Sequence, residues 1–588
     1  MRVHYPRTPH LPWSPGAAPD DVRAGDLSGL AGREVVVTEK LDGENTTMYA
    51  DGLHARSLDS AHHPSRAWLK ALHGRIAARI PTGWRVCGEN LYARHSIPYQ
   101  DLDSWFYAFS VWTGARCLDW DSTVRTTRRL GLPVPPVLWR GTFDERALRA
   151  LRPDTTRQEG YVVRPADGFD LADFGHLVAK WVRRQHVRTD AHWMLAPVVP
   201  NGRAPRAALW DVRSGAAADV PALLSVIPEV PGPEVPGRGL AGAGVVGVET
   251  AVADVSARLD LLGRTGDARL AGVLATLLHR HSRASLAPRL VEPLGMPLAR
   301  RVADLVGLHP ALWRPFPDEQ RRAGLLTLAV AVDPGVLHAV AAAALTGRPD
   351  AGAREQVDWS MLHADEAGLL AEAPLDPLRV GLGHAMARLE PDAADRCWAQ
   401  ARAAYAEGRV GTSAEASALT WRWRCGDFPR LVVMVGPSGS GKSRFATGLA
   451  GVDEIISLDD LRRARGSRAD QRGNREVLRT GLERLKAALT GRRTVVWDAT
   501  CLNRQQRSLV GGVAAGRDAL VTHAVLLVER EVLVRRNAVR ADPVPAAVLD
   551  GQLHRFGPPY PGEAHRAWYV GAGGVVEDVA GALDGAEP

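Results

Sequence analysis

The sequence predicts a multi-domain protein with an α/β domain at each end and an all-α domain between them. Three observations carry this reading. First, β-branched and aromatic runs recur between residues 34 and 200: EVVVTE at 34–39, WFYAFSVW at 105–112, GYVVR at 160–164 and HLVAKWVR at 176–183. Second, from 246 to 425 Leu, Ala and Val recur at spacings of three and four, as in DARLAGVLATLLHRH, the period of amphipathic helices. Third, RLVVMV at 430–435 opens a strand, a Gly-rich loop and a helix, and the α/β pattern then runs to the end of the chain. The expected boundaries are 1–205 for the first α/β domain, 206–245 for a Pro/Gly-rich linker or domain edge (VIPEVPGPEVPGRG), 246–425 for the helical domain and 426–588 for the last α/β domain. The length of 588 residues suits about three domains of roughly 150–200 residues.

Composition narrows the function classes. A hydrophobic content of 45% is ordinary for globular protein and excludes wholesale disorder. Five cysteines, at 87, 117, 397, 425 and 501, form no CxxC pair, so neither a zinc site nor a disulfide scaffold is expected. The start, MRVHYPRTPHLPW, lacks the apolar core of a signal peptide, and the longest apolar stretch, 325–345, is interrupted by Asp333-Pro334-Gly335 and His338. A soluble cytoplasmic protein without a membrane span is the expectation. The net charge of +7 permits a nucleic-acid partner without demanding one. Among 73 basic residues only five are lysines: Lys40, Lys70, Lys180, Lys442 and Lys486. A guanidinium keeps its proton, whereas a lysine amine can lose it and attack, so each lysine is a place to look for chemistry.

Lys40 stands in EKLDGEN at the end of a predicted strand, with Gly43 to let the backbone turn close to a nucleotide. An amine there suits attack on the α-phosphate of a nucleoside triphosphate. The segments HARSLD, CGENLYA, YAFSVW, EGYVVR and VAKWVR follow in order. Together they resemble the motifs of the covalent nucleotidyltransferases, and among these the ATP-dependent RNA ligases. The resemblance implies that Lys40 is the nucleophile, that Arg56 contacts the ribose and orients the triphosphate, and that Glu89 binds the ribose hydroxyl. It implies further that Phe109 stacks on adenine, that Glu159 is a metal-binding carboxylate and that Lys180 contacts the α-phosphate. The family usually carries a second lysine two residues after Lys180; this chain has Val182 there, followed by Arg183. DNA ligases and capping enzymes normally continue into an OB-fold, whereas here a Pro/Gly edge and helices follow.

Near the other end, Gly436-Pro-Ser-Gly439-Ser-Gly441-Lys442-Ser443 is the P-loop pattern in its strand-then-helix context. Backbone amides would cradle phosphates, Lys442 reach the outer phosphate oxygens and Ser443 bind Mg²⁺. The following Ser457-Leu-Asp459-Asp460-Leu-Arg462 resembles the acceptor motif of 5′-hydroxyl polynucleotide kinases. There Asp459 would be the general base for the hydroxyl and Arg462 a contact to the neighbouring phosphate. TVVW at 494–497 ends in Asp498, a Mg²⁺-water ligand or acceptor-site residue by the same resemblance, with Arg507 beyond it. VEREVLVRRNAVRADPVP resembles a kinase lid, in which Arg535, Arg536 and Arg540 are the candidates to clamp phosphate charge.

The region 246–425 holds His279, His281, His309, His338, His363 and His384, but no His-Asp pair and no paired His-x-Ser/Thr motifs. Neither common phosphoesterase pattern is therefore present. The region reads as a helical bundle that spaces the two modules or grips RNA. The combined expectation is a bifunctional RNA end-repair enzyme using ATP and Mg²⁺ (or Mn²⁺). Its kinase would phosphorylate 5′-hydroxyl RNA ends, possible tRNA fragments among them, and its ligase would seal the resulting 5′-phosphates to 3′-hydroxyls. DNA repair by the same chemistry and an ATP-driven RNA-binding switch are the alternatives.

Overall fold

The structure is a computed structural model that describes residues 2–19, 21–58, 63–184, 197–228, 245–315, 318–465, 474–540 and 542–585. The chain divides into two compact units, one of Met1–Val226 with Leu259–Val273, the other of Ile227–Arg258 with Leu274–Pro588.

Among the described residues the first unit holds ten strands: β1 (Glu34–Lys40), β2 (Glu44–Tyr49), β3 (Gly52–Ala55), β4 (Trp84–Asn90), β5 (Phe106–Thr113), β6 (Arg116–Cys117), β7 (Val137–Thr142), β8 (Gly160–Pro165), β9 (Phe169–Asp170) and β10 (Ala179–Val182). They form a four-stranded sheet in the order β10-β8-β1-β7 and a six-stranded sheet in the order β3-β2-β4-β5-β6-β9. Strand alternation builds two cores from the second sheet. Cys87 and Trp112 join Val35, Val37, Tyr161 and Val163 of the first sheet in one cluster. Val86, Phe106, Ala108 and Val111 face the other way, against Leu69, Leu72 and Ile76 of the helix Ala67–Ile76.

A bulge interrupts this alternation at one residue. Cys87 pairs with Ser110 and Gly88 with Ala108, so Phe109 has no partner on β4. Phe109 packs with the core between the sheets, opposite Phe106 and Ala108 as alternation requires, and the bulge then shifts the phase, so that Val111 returns to the helix-facing core and Trp112 to the one between the sheets.

The second unit closes on a six-stranded sheet of β11 (Arg430–Val435), β12 (Glu454–Ser457), β13 (Thr494–Asp498), β14 (Leu520–Leu526), β15 (Arg566–Val570) and β16 (Val576–Ala580). Their order is β12-β13-β11-β14-β15-β16, all neighbours parallel except the last pair. The apolar runs of β11 and β13, and the burial of every residue of β14, fit strands covered on both faces.

The middle region is helical, but most of it is no free-standing spacer: helices from 274 onward belong to the same unit as the P-loop sheet. Arginines fasten them. Arg300 bonds Asp578 of β16 at 2.7 Å and Asp304 at 3.1 Å. Arg283 bonds Asp304 and the carbonyl of Pro559, with its guanidinium carbon 3.7 Å from the Tyr560 ring. Arg402 donates to the His565 carbonyl, and Arg566 to Asp395. Helical periodicity shows only the apolar stripe of a helix, so these polar anchors left no trace in it. The stretch read as linker, 206–245, contains helices Ala207–Arg213 and Val220–Val226, and its residues 229–244 lie outside the described residues. The apolar stretch at 325–345 falls on two helices bent by 99°. Among the described residues no single helix is long and apolar enough to cross a membrane.

Candidate active sites

In the first unit, antiparallel register assembles the lysines and carboxylates. Lys40, the last residue of β1, lies opposite Gly160, and β8 then places Lys180 of β10 opposite Val162. Residues opposite one another share a face, and so do residues two apart. Lys40, Lys180 and Val182 therefore lie on one face. Glu159, 6% exposed, immediately precedes β8 and accepts a hydrogen bond from Lys40 Nζ. A Cβ on Gly160 would lie 1.9 Å from the Trp181 carbonyl oxygen, so only glycine lets β10 pair so closely beside the carboxylate. Glu89 comes from β4 and accepts the Gly43 amide at 3.2 Å.

The charges compete in this small space. Burial pushes the Glu89 carboxyl up to about 8, Lys40 pulls it down, and Glu159 and Asp42 add to the rise. Burial alone would lower the Lys40 ammonium, but Glu159, Glu89 and Asp42 outweigh it and hold it above the ordinary lysine value. Lys180 is held below that value by burial and by the charges of Lys40 and Arg56. Arg56 itself is exposed, just past β3. Phe109 is half-buried at its bulge, with Tyr5 edge-on at 5.2 Å and its carbonyl held by Arg164 at 2.7 Å.

The position of the absent second lysine is now defined. Val182 is 1% exposed on the face of Lys40 and Lys180. Arg183 follows the end of β10 and is turned elsewhere: its guanidinium donates to the Thr155 carbonyl and, at 3.4 Å, to Ser96 Oγ. A shift of one residue along a strand reverses the face, so Arg183 does not supply that charge.

In the second unit, β11 is the point where successive strands diverge to either side, the usual ligand crevice of such sheets. Gly436, Gly439 and Gly441 have φ of 154°, 82° and 101°, conformations that a side chain would strain. Lys442 Nζ donates to the Pro437 carbonyl at 2.8 Å. Burial pushes this amine down to about 8 against the pull of Asp498 and Asp459. Ser443 Oγ donates to Asp498 Oδ2 at 2.7 Å, which joins the two oxygen ligands named from sequence. Asp459 and Arg462 face one another one turn apart, Nη1 to Oδ1 at 2.7 Å, and Arg462 Nε also bonds Asn474. The three lid arginines separate. Arg536 bonds the Ser440 carbonyl at 3.4 Å and that of Ala572 at 2.6 Å, Arg540 helps depress Lys442, and Arg535 is exposed. Arg507 is structural, with Glu563 and the carbonyls of Cys501 and Gly557 around its guanidinium.

Residues 33–182 match the family model for RNA ligase, and residues 431–559 match that for an AAA domain. The chain joins an RNA ligase domain to a P-loop AAA domain. No curated protein matches the chain. Solved structures similar to the chain include a Naegleria gruberi RNA ligase mutant with ATP and Mn (17% identity, 26% of this chain, 51% of that chain, TM-score 0.20). The same RNA ligase with PPi is another (18%, 31%, 61%, 0.21). A gluconokinase from Sinorhizobium meliloti is also similar (24%, 25%, 84%, 0.20). The chain thus spans about half the length of the first RNA ligase structure it matches.

Sequence reasoning missed the segment that precedes the ligase domain's first strand. His10 bridges to Lys180, and Pro9 and Leu11 bond the Lys180 backbone at 2.9 and 2.8 Å, adding an edge to β10. Ser14 Oγ accepts the Val182 amide and contacts His10 Nδ1, each at 2.9 Å. No periodic pattern announces it; the signal was a compact TPHLPW with buried-type residues and no helix or strand period. Also missed was Gln552, whose Oε1 accepts the Ser438 amide of the P-loop at 2.8 Å.

Proposed function

We propose that the chain is a bifunctional, cytoplasmic RNA end-repair enzyme, a 5′-hydroxyl polynucleotide kinase and an ATP-dependent RNA ligase. The observation that carries the reading is the Lys40–Glu159 contact, with Glu89 and Lys180 beside it, in a chain that also holds a P-loop. The kinase product, a 5′-phosphate, is the ligase substrate. In the ligase, Lys40 Nζ loses a proton and attacks the α-phosphorus of ATP; the bond to the β-phosphate oxygen breaks and pyrophosphate leaves. AMP then passes to the 5′-phosphate, and a 3′-hydroxyl attacks that phosphate and expels AMP. In the kinase, Asp459 takes the proton of the 5′-hydroxyl as its oxygen attacks the γ-phosphorus of ATP; the bond from that phosphorus to the β-phosphate oxygen breaks and ADP leaves.

Glu159 in one domain, and Ser443 with Asp498 in the other, would hold Mg²⁺ or Mn²⁺. The fit is of the kind in which phosphate oxygens complete the shell, because among the described residues no three metal-ligating side chains cluster. Such an ion neutralises phosphate charge. Incubation of the purified protein with ATP labelled at the α- or γ-phosphate tests both activities: a covalent AMP adduct and labelled 5′-ends on hydroxyl-ended RNA are expected. Failure to form the adduct would refute the ligase half, and preferential joining of DNA the substrate class.

The lid geometry adds a graded expectation. Arg536→Ala should lower kcat for phosphorylation by about 10²–10³-fold, the usual cost of a donor aimed at developing charge. Arg535→Ala should stay near the parental rate. Equal effects in steady-state kinetics would remove Arg536 from the phosphate site.

A further inference from the structure

The second unit contains a buried guanidinium whose Nε has no acceptor among the described residues. Arg396, on the helix Pro391–Ala406, is 9% exposed. Its Nε is fully buried without a hydrogen-bond partner. Arg300 and Arg507, also buried in this unit, each hold a carboxylate, and Arg402 donates to a carbonyl. Arg396 instead lies with its Cζ 3.9 Å from the Trp423 ring, and the Cζ of Arg422 is at 3.9 Å from the same ring. Burial pushes the Arg396 guanidinium down to about 10; Asp518 opposes this and Arg422 adds to it. The nearest counter-charge to Arg422 is Asp518, at 3.7 Å. A buried cation whose donors lack acceptors is costly, and here a second, half-exposed guanidinium, that of Arg422, stands beside it on the same indole, which makes the place attractive to an anion.

The surroundings specify which anion. The next aromatic, Trp421, is 72% exposed. Arg424 fixes the turn that presents it, bonding both the carbonyl and the hydroxyl of Ser417 at 2.6 Å. A free phosphate or a carboxylate metabolite has no use for an open indole face. A nucleic-acid strand uses both, phosphates on arginines and unpaired bases on aromatic faces. The site is also separate from the P-loop. Asp518 precedes β14 and Trp423 precedes β11, at the ends where these parallel strands begin; the P-loop follows the end of β11. Six residues of strand put about 20 Å between the two ends.

We propose that Arg396, Arg422 and Trp421 form an accessory binding site for single-stranded RNA, the arginines taking a backbone phosphate and Trp421 stacking on a base. The proposal rests on the reading of the P-loop domain as a polynucleotide kinase. The site holds the body of the strand while its end is phosphorylated elsewhere on the same unit.

Binding of 5′-phosphorylated single-stranded RNA, which the kinase cannot phosphorylate further, tests this in the full-length protein by fluorescence anisotropy. Trp421→Ala and Arg422→Ala alter exposed side chains and should each weaken binding about 5- to 100-fold. Arg422→Ala should also flatten the salt dependence. Phosphorylation of a 5′-hydroxyl dinucleotide, too short to reach Trp421, should be unchanged in both. Arg396→Met should bind RNA as weakly and melt no lower than the parent, since it removes an unsatisfied buried charge; a lower melting temperature with unchanged binding would make Arg396 merely structural. Parental affinity in the Trp421 and Arg422 variants would overturn the site while leaving the RNA reading intact. Failure of the parent protein to bind RNA would overturn that reading instead, and tighter binding of single-stranded DNA would change the partner.

Discussion

Lys40→Ala will form no covalent adduct with ATP labelled at the α-phosphate, yet will phosphorylate 5′-hydroxyl RNA at the parental rate. The loss is complete rather than graded because the first step makes a bond to that nitrogen. Lys180, the other amine on this face, stands two strands away on β10 and has its own place in the register. Lys40→Arg should fail as fully, since a guanidinium does not give up its proton. The charge balance adds a pH signature. Attack needs the neutral amine, and Glu159, Glu89 and Asp42 hold the Lys40 pKa above its ordinary value. Below that pKa the neutral fraction grows about tenfold per pH unit. Adduct formation measured in a single turnover should therefore rise across neutral and alkaline pH. A rate independent of pH, or an adduct retained in Lys40→Ala, would refute the assignment.

How far this site was legible depends on the kind of information each residue carries. Lys40, Glu159 and Lys180 were readable because each sits beside an apolar run whose strand character is plain in the sequence, and antiparallel pairing then brings strand ends together. Their common face follows from the period of two, which also shows why Arg183 is no substitute for a lysine at 182. Phe109 was named by residue type, and its face follows from the same period of two; what alternation does not reveal is the bulge beside it, which reverses the faces of Val111 and Trp112. The segment from Tyr5 to Ser14 was silent because it joins the sheet through a few backbone bonds and has no period of its own. In the P-loop domain, glycine spacing announced the phosphate cradle. The choice among Arg535, Arg536 and Arg540 could not be read, since helical phase relative to the loop is a tertiary fact. How the middle region joins the P-loop unit could not be read for a related reason: the buried arginines that fix it to β15 and β16 are indistinguishable, in composition, from solvated ones.

Lys442→Met should abolish phosphorylation of 5′-hydroxyl RNA, by about 10³-fold or more, while leaving Lys40 adenylylation and the sealing of 5′-phosphorylated RNA intact. Methionine keeps the length and apolar stem of the lysine, so the buried position stays filled. What disappears is the cation. In the structure that cation is deeply buried, pushed down to about 8, and bonded to a carbonyl rather than to a carboxylate. Phosphate oxygens would be its first strong partner, and binding them should raise its pKa again. Nearby, the amides of Gly439, Gly441, Lys442 and Ser443 have no acceptor among the described residues. These amides alone can still hold a triphosphate loosely, so Lys442→Met should lose far more in kcat than in affinity for ATP. The fold has no stake in the charge: removing a buried ammonium without a carboxylate partner should leave the melting temperature equal or higher. Thermal melting beside the two labelled-ATP assays therefore separates loss of chemistry from loss of structure. Persistence of kinase activity would mean that the P-loop serves a conformational role and transfers nothing. Loss of sealing together with phosphorylation would mean that the two domains do not act as independent catalysts on successive ends of one repair sequence.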